Sequence, residues 1–170
     1  SEHKLQTTFA GGSRTHGNMF DVVAINAITV TKMDIHLGVK RKATIEIYTK
    51  TGSATNHHSD ASSWTKIGTA IVKGNGKHTK TPLPDNTFHP VDIPAGRTQS
   101  FYVTMVESPN MIHSTGEQRG SVAASNSDLK VLQGYANKYP FSTTSAPRVW
   151  NGIIHYTQSK TSTTTPTKKP

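Results

Sequence analysis

The stretch Ala43-Thr44-Ile45-Glu46-Ile47-Tyr48-Thr49 alternates apolar and polar side chains without interruption, and this period of two constrains the chain more than any other feature. It puts Ile45 and Ile47 on one face and Thr44, Glu46 and Tyr48 on the other, as a strand with one buried side requires. The same period recurs in Ser100–Val106, where Phe101, Val103 and Met105 share a face, and more loosely in residues 3–9, 64–72 and 128–135. In Ile28–Leu37 the apolar phase slips by one near Thr31-Lys32, which predicts a β-bulge. Gly68 predicts a bulge or a close backbone approach, and Pro90 an edge strand. Turn signals at Gly38–Lys42, Gly74-Asn75-Gly76-Lys77 and Pro94-Ala95-Gly96-Arg97 punctuate these runs. No segment carries a convincing helical period. The expectation is eight to ten strands in an all-β fold, a two-sheet antiparallel sandwich of jelly-roll or Greek-key type with extended termini.

Ile153–Tyr156 reads as the closing strand and as a partner of the N-terminal one. The chain then divides into an extended N-terminal segment or edge strand over residues 1–8, a sandwich domain over 9–156, and a Thr/Pro/Lys-rich tail over 157–170. The tail is too poor in apolar residues to pack, and is expected to be extended. Inside the domain, Ser13–Asn18 and Pro109–Ser125 read as loops, and Asp128–Tyr135 as one strand.

Composition narrows the function. Only 32% of the 170 residues are hydrophobic and 17% charged, so Thr, Ser, Asn and Gly carry the surface, which favours strands with one wet face. There is no cysteine, hence no disulfide framework. No run approaches the roughly 18 apolar residues of a membrane span. Ser1–Lys4 has no apolar targeting region, so a secreted chain would have lost its signal peptide. The net charge of +9 is spread thinly. Its one tight domain cluster is Lys40-Arg41-Lys42, and no aromatic residues interleave with a basic stripe. Sequence-specific nucleic-acid binding is therefore not expected, while a general attraction to polyanions such as acidic polysaccharides is.

No catalytic constellation emerges, and the chain is not expected to be an enzyme. Gly12-x4-Gly17 has the glycine spacing of a phosphate loop, but Asn18-Met19 stands where Lys-Ser/Thr is needed. There is no Gly-x-Ser-x-Gly elbow, and the ten acids are dispersed. The weak metal candidates are His57, His58 and Asp60 in one loop, and Asn18 with Asp21; calcium would draw on the latter pair or on Asn126 and Asp128. The remaining histidines share no ligand spacing and read as surface residues. Trp64 and Tyr48 lead the aromatic candidates for stacking on sugar, against the plainer reading of core or rim packing. Arg148 reads as structural, bonding loop carbonyls.

Three landmarks point further. Gly17-Asn18-Met19-Phe20-Asp21-Val22, Pro94-Ala95-Gly96-x-Thr98 and Pro147-Arg148-x-Trp150-Asn151-Gly152 together resemble a jelly-roll-like β-sandwich domain of large secreted or surface proteins of aquatic bacteria and diatoms. They are also similar to subunits of extracellular protein fibrils from fresh water. The resemblance implies a secreted structural or adhesive role and no catalytic residues. The function expected is a structural subunit of an extracellular filament or surface layer, assembling head-to-tail with copies of itself into a helical homo-oligomer. Assembly would run through terminal segments and sheet edges, with Leu5, Phe9, Ile154 and Tyr156 as candidates. Thr161, Ser162, Thr163, Thr164, Thr165 and Thr167 are candidates for O-linked sugar. The alternative is a carbohydrate-binding or adhesive module of a larger secreted protein.

Overall fold

A computed structural model of the chain describes residues 1–142 and 144–159. In chain order the strands are β1 (Glu2–Gln6), β2 (Ser13–Thr15), β3 (Gly17–Ala24), β4 (Ile28–Ile35), β5 (Lys42–Thr51) and β6 (Thr65–Lys73). There follow β7 (Thr81–Pro82), β8 (Val91–Ile93), β9 (Thr98–Met105), β10 (Met111–Thr115) and β11 (Val122–Ser125). The last four are β12 (Leu129–Leu132), β13 (Gly134–Asn137), β14 (Thr144–Trp150) and β15 (Gly152–Gln158). A single 3-10 turn, Ala61–Ser63, is the one helical element among the described residues, none of which form a helix long and apolar enough to cross a membrane.

The strands form two antiparallel sheets, as the alternation predicts. The smaller has the order β1-β15-β4-β7, with β8 also on β4; the larger runs β2-β10-β14-β13-β3-β9-β5-β6, with β12 on β3 and β11 on β12. The chain passes repeatedly from one sheet to the other, so neighbours in sequence are often in different layers. The inward residues of both sheets make one core, including Ile45 and Ile47, Phe101, Val103 and Met105, and Ile28, Val30, Met33 and Ile35. At its centre Phe20 stacks on Trp150, ring centroids 4.3 Å apart.

The phase slip in β4 has its expected cause. His155 pairs with Lys32 and Tyr156 with Val30, leaving Thr31 as the extra residue of a bulge. Gly68 also behaves as read. The β5–β6 register shifts beside it, and a Cβ there would lie 2.1 Å from the Thr87 carbonyl oxygen, where the backbone of residue 88 bridges to it.

Other expectations need correction. The strands number fifteen, because short polar segments expected as loops are paired: β2 lies within Ser13–Asn18, and β10 and β11 lie within Pro109–Ser125. Asp128–Tyr135 is two strands, both laid along β3, with Gly134 pressed so closely on β3 that a Cβ would sit 2.1 Å from the Met19 oxygen. The closing strand does not stop at Tyr156. It continues to Gln158, and the Ser159 N–H still donates to the Ala27 carbonyl. The domain thus extends past residue 156, and the part of the tail that follows lies outside the described residues.

The outer face of the larger sheet holds a second apolar cluster. Met19, Tyr102 and Tyr135 of the sheet pack with Ala54 and Trp64 of the β5–β6 connection, and Tyr48 and Phe141 close around them. The ring of Tyr102 meets those of Phe141 (4.8 Å), Tyr48 (5.5 Å) and Trp64 (6.2 Å). Both faces of β9 are therefore buried, one under the opposite sheet and one under loops.

Candidate functional site

The structure separates the proposed ligand residues and occupies each with a structural task. Asn18 and Asp21 are three apart on β3, so their side chains leave opposite faces. Asn18 is buried and its amide donates to the Tyr135 carbonyl. The Asp21 carboxylate accepts from the Ser53 and Ser100 hydroxyls and from the Ala54 N–H, tying the β5–β6 connection onto the sheet. His57 bonds Ser63, His58 stacks on Tyr135 at 4.5 Å, and Asp60 caps the 3-10 turn by accepting from the Ser62 N–H and the Ser62 and Ser63 hydroxyls. Asn126 caps its own turn, and Asp128 accepts from Tyr156, Asn26 and Gln158. Among the described residues no group of three or more His, Cys, Asp or Glu is placed to hold a metal.

The aromatic candidates resolve the same way. Trp64 is buried, with its indole N–H donating to the His57 carbonyl, and Tyr48 is half-buried with its hydroxyl donating to Glu46. They form the second core, and no stacking platform is exposed. Arg148 bonds the Pro147 carbonyl, as read. The histidines depart from expectation. His36, His113 and His155 are buried, the last within 3.1 Å of the buried Asp34 carboxylate.

Of the assembly candidates, Leu5, Ile154 and Tyr156 are buried in the chain's own core, so they present no surface to a neighbour while β1 stays in place. Phe9 is half-buried, edge-on to His36 at 5.3 Å. What the structure brings together is the seat of β1. This strand lies at the edge of the smaller sheet, antiparallel to β15, with Glu2 opposite Thr157 and Leu5 opposite Ile154. Leu5 is its one buried residue. His3 adds a stack on Tyr156 at 5.4 Å.

The root of that strand is fixed at a corner built on Asn151. β14 and β15 are consecutive but belong to different sheets, so residue 151 is where the chain turns from one layer to the other. The fully buried Asn151 takes hydrogen bonds from Gly11 N–H (3.1 Å) and His36 Nδ1 (3.0 Å), and its amide donates to Ser114 Oγ (3.0 Å) and the Val149 carbonyl (3.2 Å). The Nε2 of His36 accepts the His78 N–H at 2.8 Å, which holds His36 as the neutral Nδ1–H tautomer. Burial lowers the His36 pKa, and the nearby His78, Arg14 and Lys77 push the same way against the Asn151 bond. His78 in turn donates from Nδ1 to the Phe9 carbonyl at 2.8 Å. Thr7 completes the clamp, its hydroxyl donating to the Trp150 carbonyl at 2.7 Å. Gly11 is required here, because a Cβ would lie 2.4 Å from Asn151 Oδ1.

The chain is thus held at Gly11, and the ten residues before it form an arm along a sheet edge. The Asn151 corner was invisible to residue patterns, although Trp150-Asn151-Gly152 had been singled out as a landmark. Thr161, Ser162, Thr163, Thr164, Thr165 and Thr167 lie outside the described residues. No protein-family model matches this sequence, and no curated protein matches it either.

Proposed function

We propose that the chain is a structural subunit of an extracellular filament or surface layer, joined to its neighbours by exchange of β1. In this reading the arm of one copy leaves its own β15 and adds to β15 of the next. The contacts re-formed are the ones given up, so exchange costs little beyond the hinge. Repeated in one direction, such a contact is heterologous and grows as an open helical array.

The observation that carries the reading is the way β1 is attached. Burying one Leu contributes about 2 kcal/mol, a small share of a domain's cohesion, while the anchor at Gly11 and Asn151 keeps the arm's root in place. The resemblance to fibril subunits points the same way, and a secreted location with O-linked sugar on the tail threonines belongs to the same proposal.

A paired substitution tests it. Glu2 and Thr157 are directly opposed, and the chain has no other cysteine, so Glu2→Cys with Thr157→Cys gives one unambiguous disulfide. Oxidised assemblies are expected to run as a ladder of covalent multimers on a non-reducing gel. Filaments whose disulfides all lie within monomers would refute strand exchange, and a chain that forms no filament in negative stain at any concentration would refute the structural role itself.

A further inference from the structure

Cations that are scattered in the sequence converge on one end of the sandwich. Lys42 and Lys73 are a cross-strand pair at the end of the β5–β6 ladder. Lys40 and Arg41 belong to the turn that leads into β5; the Gly74 N–H donates to the Arg41 carbonyl, and the Lys40 stem lies over Gly76, where a Cβ would meet its Cε at 2.9 Å. Lys77 and Lys80 sit in the loop between β6 and β7, and the Asn75 amide donates to the Lys80 carbonyl. Arg14 reaches in from β2, donating from one guanidinium nitrogen to the Gly38 carbonyl and to Asn110 Oδ1, both at 3.2 Å. All these side chains are exposed, and among the described residues none is within ion-pair distance of a carboxylate. The acid at this end, Glu107, spends both oxygens on the Thr44 N–H, at 2.8 and 3.0 Å.

The placement relative to the termini is equally specific. Gly152 pairs with Ile35 beside the cationic turn, whereas Gln158 pairs with Ile28 at the far end of β4, with Glu2 opposite Thr157. Eight residues of strand at about 3.3 Å each put these ends roughly 25 Å apart. Both described ends of the chain thus leave the sandwich at one pole, and the free cations face outward at the other.

We infer that this cationic pole binds an anionic polysaccharide, one bearing carboxylate or sulfate groups along a flexible chain. Unpaired cations on rigid strands and turns give a field that attracts a polyanion and holds several of its charges at once. Ile71, on the same face of β6 as Lys73, is 67% exposed and offers an apolar contact for the C–H face of a sugar ring. Nothing at this pole fits a nucleic acid better: no helix is there to enter a groove, and the nearest aromatic, Phe9, is half-buried against His36 and unavailable to stack a base. The inference goes beyond the filament reading and does not rest on it.

The test measures binding of the full chain to polygalacturonate and dextran sulfate, with neutral dextran, duplex DNA and anionic phospholipid vesicles alongside. One variant carries Lys40→Ser, Lys42→Ser and Lys73→Ser. A control with the same change in net charge carries Lys4→Ser, Arg97→Ser and Lys130→Ser, exposed positions away from this pole. Binding to the acidic polysaccharides is expected to weaken steeply with salt. It should fall about tenfold in the first variant and less than about twofold in the control. Equal loss in the two variants would reduce the effect to net charge and overturn the site. Tighter binding to DNA or vesicles than to the polysaccharides at equal charge would overturn the partner. Since the substituted side chains are exposed and make no side-chain hydrogen bonds, thermal unfolding of the variants should match that of the parent chain.

Discussion

Acid should weaken this sandwich well above the pH at which carboxylates protonate, and His113 is the reason. It sits in β10 between Ser13 of β2 and Trp150 of β14, 1% exposed, with Nδ1 finding no hydrogen-bond partner. Burial pushes its pKa from the ordinary 6.5 down to about 4, and the Arg148 guanidinium adds to the effect. An unfolded chain binds a proton at this ring below pH 6.5, and the folded chain refuses it until about pH 4. The neutral ring's contribution is therefore complete above pH 6.5, declines as the pH falls, and is gone once the pH passes the folded value. At about 1.4 kcal/mol per pH unit the loss is about 2 kcal/mol at pH 5 and about 3 kcal/mol at pH 4. His36 is lowered too and acts with the same sign. The carboxylates held low by hydrogen bonds, Glu107 and Asp128, lose their contribution only below their ordinary values of 4.5 and 3.8, so the interval from pH 6.5 to 5 belongs to the histidines. Urea unfolding of the parent chain and of His113→Gln at pH 7.5, 6.0 and 5.0 reads this out. The parent should lose about 2 kcal/mol more than the variant between the first and last. Parallel stability curves would refute the assignment, as would an NMR titration of the His113 ring in the folded chain with a midpoint near 6.5.

Two further substitutions probe the corner and the second core. Asn151→Ala strips partners from Gly11, His36 and Ser114 in a fully buried site, and should cost about 3 kcal/mol by thermal or urea unfolding. Amide exchange at Gly11 should rise in the same variant. Trp64→Ala removes the ring that packs on Tyr102 and Phe141 and should cost about 3 kcal/mol, while affinity for acidic polysaccharide stays within about twofold of the parent. A loss of polysaccharide binding in step with the lost ring would return Trp64 to the candidate sites.

The residue pattern conveyed the sheet architecture because alternation reports directly on which face a side chain takes. Ile45, Ile47, Phe101, Val103 and Met105 are buried where they were expected, and the one-residue slip at Thr31 became a bulge. Alternation is silent on whether the second face is covered. Tyr48, Tyr102 and Trp64 occupy the outer phase and are still packed, because the β5–β6 connection and Phe141 fold back over them. It is equally silent at the rims. His36 and His113 carry polar side chains, yet both lie where the chain passes between layers, so they face backbone instead of water. Short polar strands such as β2 and β11 gave no signal, since their pairing comes from neighbours distant in sequence.

The same limit hid the basic pole and decides how it is to be understood. Arg14, Lys40, Lys73 and Lys80 are spread over nearly half the chain, and only the meeting of β2, the turn before β5 and the loop after β6 makes them neighbours. Along the outer face of the larger sheet, the β9–β5 region is closed by aromatic rings, with Tyr48 and Tyr102 under Phe141 and Trp64. Further along the same face of the β5–β6 hairpin, toward Lys42 and Lys73, that cover stops and Ile71 stands exposed. A protein that recognised sugar by stacking would leave the rings open and bury the cations' neighbours. This one does the reverse, so the ligand that fits it is selected by charge, and aromatic substitutions should leave that selection untouched.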